Sequence, residues 1–371
     1  MKKKLKIIIS GGGTGGHIYP AIAVAQTLQR RLNNEVDFLF VGASDRMEME
    51  KVPKAGYQII GLWISGIQRR ISLKNLMFPV KVLSSVMKSL KIINSFKPDV
   101  AIGFGGYASG ALLYAATLKK LPALIHEQNS YAGITNKILK NRVQKICVSY
   151  DHMERFFPAD KIIKTGNPVR LDIANSYNKR DEAQGFFKLD PAKKTILVIG
   201  GSLGARTINE CIEAGLDQLG SAGVNVIWQT GKNFAGIKNK TISTDFSLVV
   251  EPFIYQMDFA YAVADIVISR AGALSIAELA IAGKPVILVP SPNVSEDHQT
   301  KNAMALVTRN AAILVKDADA KLQLIRTALE LVENEQKQIE LSKNISEMAI
   351  PDAAERIADE VLKLIKLGHG I

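Results

Sequence analysis

The sequence predicts an α/β protein made of two Rossmann-like domains, and three observations lead to that prediction. Short β-branched runs alternate with amphipathic stretches, and the same pattern restarts near residue 195. The chain of 371 residues is also longer than a single hydrophobic core usually grows. Alternating strands and helices are typical of a parallel sheet covered by helices, so we expect one such sheet in each half.

The apolar runs give the candidate strands in order. Five of them, in the first half, are KIIIS, VDFLFVG, YQIIGL, DVAIGFGG and ALIHEQ. After a polar stretch at 171–194, TILVIGGSLGARTINE repeats the order of strand, glycine turn and helix. The tail IPDAAERIADEVLKLIK predicts a helix long enough to pack on the first domain. We therefore place the first domain at 1–165 with 352–371, and the second at 166–351.

Charge is unevenly distributed along the chain, which has a formal net charge of +12. Residues 1–100 contain 16 Lys and Arg against 6 Asp and Glu, whereas 201–371 contain 16 against 21. No acidic residue lies between Glu50 and Asp99. We expect a basic face on the first domain that attracts an anionic surface. Nucleic acid is a weaker candidate, because no recognised DNA- or RNA-binding module accompanies the charge.

The cysteines and the apolar segments indicate a cytoplasmic protein. Cys147 and Cys211 are far apart in sequence and have no CxxC spacing, which predicts neither a disulfide framework nor a zinc site. The apolar run near the N-terminus is too short for a signal peptide. The longest uncharged segment, 100–118, is interrupted by glycines, so we expect no membrane-spanning helix.

The glycines in IIISGGGTGGHIYP follow a strand and precede a helix. Gly11, Gly13 and Gly16 fit the spacing G-x-G-x-x-G, and amides at a helix start favour a phosphate. A dinucleotide site also needs an acidic residue at the end of the second strand, where Asp45 comes too late. A tight turn without any ligand is the other alternative.

A second glycine turn, GGSLGA at 200–205, includes Ser202 and follows the restarted strand. In doubly wound sheets ligands bind beyond the carboxyl ends of the strands. We therefore expect two phosphate-binding rims on a cleft between the domains, able to hold a donor and an acceptor.

Four polar residues, His126, Glu127, Gln128 and Asn129, come at the end of a buried strand. Buried polar groups are costly unless they are hydrogen-bonded, so these side chains either bond within the protein or face the cleft. We expect them to face the cleft.

The segment SRAGALSIAELA predicts a strand-to-helix turn near Arg270, with Glu278 in the first turns of the helix. Glu278 either accepts two ribose hydroxyls or is a favourable charge at a helix start.

Asp317 and Asp319 form a D-x-D spacing that in other nucleotide-sugar enzymes binds a metal. Here they precede a helix, where aspartates serve as caps, and we expect no required metal.

Residues 67–96 predict an amphipathic helix broken at Pro79, with Lys74, Lys81 and Lys88 on one face. That face is either simply solvated or part of an interfacial membrane anchor. The candidate anchor residues are Arg69, Arg70, Lys74, Met77, Phe78 and Lys81.

Six ordered motifs together resemble the MurG family over nearly the whole chain. They are GGGTGGHIYPAIAVA, GFGGYAS, HEQNSYAGITNK, TGNPVR, GGSLGA and SRAGALSIAELAIAGKPVILVP. The resemblance implies a GT-B fold, with two Rossmann-like domains whose parallel sheets face each other across a deep cleft. It also implies transfer of N-acetylglucosamine from UDP-N-acetylglucosamine to undecaprenyl-diphosphate-linked muramyl pentapeptide, a step of bacterial peptidoglycan synthesis.

The resemblance assigns residues to both substrates. For the donor they are Thr14, Gly15, Gly16, Asn129, Arg170, Ser202, Ile254, Ala273, Leu274, Ser275, Ile276, Ala277, Glu278 and Gln299. For the acceptor diphosphate they are Gly12, Gly13, Gly105, Gly106 and Tyr107. Relatives often carry a glutamine where this chain has His298, next to Gln299.

The implied mechanism is a single inverting displacement by the acceptor C4 hydroxyl, without a cofactor or metal. His17 is the first candidate for the base, since a neutral imidazole can accept a proton near neutral pH. Glu127 is the second candidate, or else it positions the acceptor. Arg170 and helix amides would stabilise the leaving diphosphate.

The resemblance further implies a peripheral protein at the cytoplasmic face of the bacterial cell membrane, with other cell-wall synthesis proteins as candidate partners. Two rival enzymes share the domain plan: a GT-B transferase for another lipid, and a UDP-sugar epimerase. A rival of another class is a membrane-docking scaffold without catalytic activity, suggested by the basic face and the amphipathic segment.

Overall fold

The protein divides into two compact units, Met1–Val169 with Asp352–Ile371, and Arg170–Pro351. The sequence places the first boundary after residue 165 and the second after residue 351. In the computed structural model, the described residues are 4–66, 77–169, 173, 178–201, 204–234, 236 and 247–369.

Each unit contains one parallel sheet. The strands are β1 (Leu5–Ser10), β2 (Val36–Ala43), β3 (Gln58–Leu62), β4 (Val100–Gly103), β5 (Ala123–Glu127), β6 (Lys145–Val148), β7 (Ile162–Lys164), β8 (Thr195–Ile199), β9 (Asn225–Gln229), β10 (Leu248–Glu251), β11 (Ile266–Ser269), β12 (Val286–Leu288) and β13 (Ile313–Leu314). The orders are β3-β2-β1-β4-β5-β6-β7 and β10-β9-β8-β11-β12-β13. The strands predicted from the apolar runs are confirmed.

Helices connect the strands in both units. In chain order they are α1 (Gly15–Arg31), α2 (Glu48–Lys54), α3 (Phe78–Phe96), α4 (Tyr107–Leu118), α5 (Ile134–Leu139), α6 (Arg180–Phe187), α7 (Arg206–Ala214), α8 (Leu216–Ser221), α9 (Met257–Val263), α10 (Ala273–Ala282), α11 (His298–Val307), α12 (Ala320–Glu333), α13 (Glu335–Ser346) and α14 (Ala353–His369).

The first sheet is buried on both faces because alternate residues of its strands enter different cores. Ile7 of β1 packs in a cluster with α1 and α14, whereas Ile8 packs in a cluster with α3 and α4. Ile357 of α14 is fully buried in the first of these clusters. Arg31 of α1 forms an ion pair with Asp359 of α14 at 2.7 Å. The prediction that the tail helix packs on the first domain is confirmed.

The hydrophobic core of the second unit includes a fully buried tryptophan. Trp228 of β9 is fully buried in a cluster with Val198 of β8 and Ile212 of α7. Its indole Nε1 donates to Asn209 Oδ1 at 3.0 Å, so the buried polar atom has a partner.

Each sheet has a topological switch point, at which the chain stops adding strands on one side of the first strand and continues on its other side. β1 pairs with β2 on one side and with β4 on the other, and β8 likewise lies between β9 and β11. The loops after β1 and β4 therefore leave the sheet at its switch point, as do those after β8 and β11. Ligands of open α/β sheets bind at such points.

The helix predicted over 67–96 is observed as α3, from Phe78 onward. Pro79 lies in the first turn of α3, where the missing N–H group has no helical partner to lose. Residues 67–76, which were predicted to precede the break, lie outside the described residues. Within the described part of the chain, no helix combines the length and the apolar character needed to cross a bilayer.

Candidate functional site

The loop after β1 holds an imidazole whose proton position is set by the backbone. His17 lies in the first turn of α1, and its Nδ1 is 2.8 Å from the carbonyl oxygen of Gly12. A carbonyl can only accept, so Nδ1 must carry the proton in this bond. In the neutral ring the lone pair then lies on Nε2. The Thr14 hydroxyl is more distant, at 3.4 Å from Nδ1.

A buried carboxylate lies beneath the same loop. Glu48, the first residue of α2, is fully buried, and its Oε2 accepts from the Gly13 N–H at 3.0 Å. Its Oε1 accepts from the Ala43 N–H at the end of β2, at 2.9 Å. Glu48 is not predictable as a site residue from sequence, because an acidic residue at a helix start is ordinarily a favourable charge and no more.

The loop after β4 packs directly on the loop after β1. Gly105 and Gly106 have φ of +93° and +91°, in the left-handed region. A Cβ on Gly106 would lie 2.6 Å from the Gly12 carbonyl oxygen, and one on Gly105 would lie 3.0 Å from His17 Nε2. Any side chain at either position would therefore displace the imidazole or the carbonyl that orients it.

The residues predicted for the acceptor diphosphate are all described, and four of the five lie in these two loops. The Gly12 N–H donates to the Gly105 carbonyl oxygen at 3.4 Å, and the Gly13 N–H donates to Glu48. The side chain of Tyr107, at the start of α4, is about half exposed. Contact with a diphosphate stays a prediction, and it cannot rest on the N–H groups of Gly12 and Gly13, since both already have acceptors.

The prediction that the polar residues at the end of β5 face a cleft is wrong for three of the four. His126, Glu127 and Gln128 are buried and hydrogen-bonded within the protein, which was the alternative. Asn129 alone is partly exposed.

Glu127 holds the segment that follows β5. Its Oε1 accepts from the Asn129 N–H at 3.1 Å, and its Oε2 accepts from Gly133 N–H at 2.9 Å and Asn136 Nδ2 at 2.8 Å. Asn129 Nδ2 also donates to Oε1, at 3.3 Å, so four donors from the segment after β5 converge on this carboxylate. The geometry therefore favours the positioning role for Glu127 over the role of base.

His126 is held neutral beneath the site. Its Nε2 donates to the Gly166 carbonyl oxygen at 2.9 Å, and Gln128 Nε2 donates to its Nδ1 at 3.1 Å. The pKa of His126 is lowered to about 4, mainly by burial; the bond to the Gly166 carbonyl opposes the shift, and the nearby His17 adds to it.

In the second unit, Gln229 links two predicted donor-binding segments. Its Nε2 donates to the Gly201 carbonyl oxygen in the turn after β8, at 3.1 Å. Its Oε1 accepts from the Ile254 N–H after β10, also at 3.1 Å. Ser202 and Arg170 lie outside the described residues, so their predicted contacts with the donor are not placed.

The predicted run of donor residues forms the first two turns of α10, capped by Gly272. Ala273, Ile276 and Glu278 are buried, whereas Leu274, Ser275 and Ala277 are partly exposed.

Glu278 is the sixth residue of α10, so the reading as a helix-start charge is wrong. Its Oε2 accepts from the Tyr261 hydroxyl at 3.3 Å. Gln299, in the first turn of α11, accepts through Oε1 from the Ser291 N–H at 2.8 Å. Ribose binding by Glu278 stays a prediction.

The prediction that the aspartates of the D-x-D spacing cap a helix is wrong for Asp317 and holds in position for Asp319. Asp317 pairs with Arg270, the residue after β11, and accepts from the Thr207 hydroxyl at 3.0 Å. Asp319 occupies the N-cap of α12 without a side-chain hydrogen bond to the helix. Among the described residues, no three His, Cys, Asp or Glu side chains are grouped to hold a metal ion.

Three of the six predicted membrane-anchor residues lie outside the described residues: Arg69, Arg70 and Lys74. Met77 is exposed and Phe78 is partly buried. Lys81 donates to the Ser65 hydroxyl at 2.9 Å, and Lys88 donates to the backbone of β3 at 2.7 Å. Both lysines thus bond back to the protein; Lys81 is partly buried, whereas Lys88 is exposed.

Family models and relatives identify the chain. It matches the Glycosyltransferase family 28 N-terminal domain over residues 7–148 and the C-terminal domain of the same family over residues 195–357. It is 57% identical to a protein of Cytophaga hutchinsonii and 53% identical to one of Parabacteroides distasonis, covering 98% of this chain and 98% or 99% of the relative. Both are named UDP-N-acetylglucosamine–N-acetylmuramyl-(pentapeptide) pyrophosphoryl-undecaprenol N-acetylglucosamine transferase.

A solved structure agrees. The crystal structure of Acinetobacter baumannii MurG matches with a TM-score of 0.76 and 28% identity, covering 97% of this chain and 99% of that chain. The chain belongs to the MurG family of glycosyltransferases. A UDP-N-acetylglucosamine 2-epimerase from Neisseria meningitidis also matches, with a TM-score of 0.67 but only 15% identity, so that likeness concerns the fold alone.

Membership of the MurG family confirms the predicted GT-B fold class and the glycosyltransferase activity class. The MurG family residues predicted from the sequence follow the carboxyl ends of β1, β4 and β5 in the first unit. In the second unit they follow β10, β11 and β12.

We predict that Gly106→Ala lowers turnover, because the added Cβ would push on the Gly12 carbonyl that orients His17. The loss should be roughly 100-fold, the size typical of small displacements in an active site. Steady-state kinetics measures it. Gly56→Ala is the matched control, since Gly56 has φ of +87° and open space around its Cβ position. Equal turnover in the two variants would contradict the prediction.

We predict that His126 makes the folded state less stable at acidic pH. The unfolded chain takes up the proton near pH 6.5, whereas folded His126 resists it down to about pH 4. Stability is therefore present above pH 6.5 and is lost as the pH falls between these values, by about 3 kcal/mol. Denaturant unfolding over this pH range measures the slope. The His126→Gln variant should lack this contribution, and an equal slope in both proteins would refute it.

Proposed function

We propose that this chain transfers N-acetylglucosamine from UDP-N-acetylglucosamine to the C4 hydroxyl of the muramyl pentapeptide carried on undecaprenyl diphosphate. Relatives more than half identical over nearly their full length are named for this reaction. The product is the disaccharide pentapeptide on the same lipid, a precursor of peptidoglycan.

The observation that carries the proposal is the geometry of His17 at the switch point of the first sheet. The bond from Nδ1 to the Gly12 carbonyl leaves Nε2 as the basic nitrogen of the neutral ring. Gly105 keeps that edge of the ring clear of a side chain. An oriented neutral imidazole beyond the carboxyl ends of parallel strands is suited to take a proton from a substrate hydroxyl.

The reaction is one displacement at the anomeric carbon. The acceptor C4 oxygen forms the new bond to that carbon as the bond to the UDP oxygen breaks, which inverts the configuration and gives a β linkage. The hydroxyl proton passes to His17 Nε2, and UDP leaves with the bonding electrons. Glu127 acts through the segment after β5, which it fixes by accepting four hydrogen bonds.

The donor nucleotide belongs to the second unit in this proposal. Gln229 fixes the Gly201 carbonyl and the Ile254 amide together, so the turn after β8 and the segment after β10 form one rigid platform. α10 begins shortly after the carboxyl end of β11, and the amides at a helix start favour a negatively charged group. Because Asp317 is engaged by Arg270, the D-x-D spacing offers no pair of unoccupied carboxylates, and we propose a reaction that needs no metal.

The test is transfer by the purified chain from radiolabelled UDP-N-acetylglucosamine to the undecaprenyl-linked acceptor, with and without EDTA. We expect UDP release, a labelled lipid product, much slower use of UDP-glucose, and no effect of EDTA. Interconversion of UDP-sugars without transfer would instead support an epimerase. Vesicle binding without either reaction would support a docking scaffold.

We predict that His17→Gln lowers kcat by about 100-fold to 10,000-fold, the range that a general base contributes. The KM for UDP-N-acetylglucosamine should change little, because the imidazole acts on the acceptor hydroxyl. Initial-rate kinetics separates the two constants. His152→Asn is the control, since His152 is an exposed histidine in the same unit. Unchanged kcat in His17→Gln would remove the imidazole from the role of base.

The proposed location is the cytoplasmic face of the cell membrane, and α3 supplies a surface for it. Val80, Leu83 and Met87 are 51%, 63% and 54% exposed and recur at the spacing of one helix face. Lys91 follows one turn later on the same face and is exposed. We call these four residues the outer stripe of α3. Apolar side chains next to a cation suit the interface of an anionic bilayer.

We predict that replacing both Leu83 and Met87 by Ser weakens binding to phosphatidylglycerol vesicles by roughly tenfold or more, because less apolar surface enters the interface. Vesicle co-sedimentation measures the partition. Leu322→Ser is the control, because Leu322 is 87% exposed but lies on α12 of the second unit. The outer stripe would be excluded as the anchor if the double variant bound as tightly as the control.

A further inference from the structure

Glu48 is a fully buried acidic residue that the proposed reaction has not yet used. It lies at the start of α2, and both of its carboxylate oxygens accept from backbone N–H groups. Carboxylates are almost never fully buried unless they are paired or hydrogen-bonded in this way, so its burial calls for an explanation.

The two bonds join two different segments of the first unit. Oε1 accepts from Ala43 N–H, the last residue of β2, which is part of the rigid sheet. Oε2 accepts from Gly13 N–H in the loop after β1. The carboxylate therefore fixes the glycine loop to the neighbouring strand, although Glu48 is 35 residues from Gly13 in sequence.

Two neighbouring glycines leave the space that the Glu48 side chain occupies. A Cβ on Gly12 would lie 2.1 Å from Glu48 Oε1, and a Cβ on Gly42 would lie 2.5 Å from Glu48 Cγ. Two glycines on different segments thus leave room for this one side chain. Gly12 is also the residue whose carbonyl oxygen accepts from His17 Nδ1.

We propose that Glu48 is a positioning residue for the transfer reaction and acts through His17. By accepting from the Gly13 N–H, it fixes the peptide between Gly12 and Gly13, and with it the Gly12 carbonyl that selects the imidazole tautomer and direction. It also occupies the Gly13 N–H, which a phosphate would otherwise use at this helix start. The inference rests on the proposed role of His17 as base.

Replacing Glu48 by Gln keeps the shape but not both bonds. An amide side chain has one acceptor oxygen, so its NH2 group would face one of the two backbone N–H groups. Replacing it by Asp keeps the charge but shortens the side chain by one methylene, so the carboxylate cannot span from Ala43 to Gly13. Both changes should release the glycine loop.

The experiment compares Glu48→Gln, Glu48→Asp and Glu50→Gln in the full chain. Glu50 lies on the same helix, is exposed, and pairs with Lys51 and Lys54 of that helix, so it is the matched control. We expect kcat to fall by about 10-fold to 100-fold in both Glu48 variants, with the KM for UDP-N-acetylglucosamine changed by less than about threefold. A lower melting temperature with kcat within about twofold of wild type would show a merely structural role and overturn the proposal.

A double variant tests whether Glu48 acts through His17. In the His17→Gln background, adding Glu48→Gln should lower kcat by less than about twofold, because the group it positions is already absent. A full additional loss would mean that Glu48 acts elsewhere, and would overturn the proposal while leaving the transfer reaction itself intact.

If the Glu48 variants do not fold, amide exchange in the wild-type protein still tests the proposal. With ¹⁵N-glycine labelling, the Gly13 amide should exchange with solvent at least about tenfold more slowly than an unstructured amide, because it is bonded to a buried carboxylate. Exchange at the unstructured rate would overturn the proposal. Wild-type transfer tests the proposed function separately, since this exchange measurement needs no activity.

Discussion

The hydrogen bond from His17 Nδ1 to the Gly12 carbonyl oxygen is the contact on which the rest of the candidate site depends. It decides which ring nitrogen is basic and where that nitrogen lies. Several features of the first unit then follow as requirements of that bond. Gly105 and Gly106 must lack side chains, since a Cβ at either position would collide with the ring or the carbonyl. Glu48 must hold the loop from beneath.

The same solution recurs in both units: buried polar side chains of one segment fix the loop that follows another strand. In the first unit Glu48 ties the loop after β1 to the end of β2, and Glu127 ties the segment after β5 to its own strand. In the second unit Gln229 connects the turns after β8 and β10, and Asp317 holds Arg270 after β11. Parallel sheets buried on both faces provide the rigid frame, and these side chains extend that rigidity into the loops.

The fold could be predicted from the sequence, and so could the strand ends at which the candidate site lies. Apolar runs such as Leu5–Ser10 and Thr195–Ile199, each followed by glycines, predict parallel strands and their ligand-binding ends. The partners of individual polar groups were not predictable, because they depend on contacts between distant segments. Glu48 is 35 residues from the glycine that it holds. Asp317 is 47 residues from Arg270, and local sequence favours a helix cap there. On α3, apolar spacing alone does not separate the inner face from the exposed Val80, Leu83 and Met87.

The tautomer of His17 in the wild-type protein is the most direct test of this arrangement. The chain has five histidines, so ¹⁵N-histidine labelling with a His17→Gln spectrum for assignment isolates the two ring nitrogens. At a pH where the ring is neutral, we expect the ¹⁵N shifts to show a protonated Nδ1 and an unprotonated Nε2. A ring protonated on Nε2 would contradict the bond to Gly12, and with it the assignment of His17 as the base.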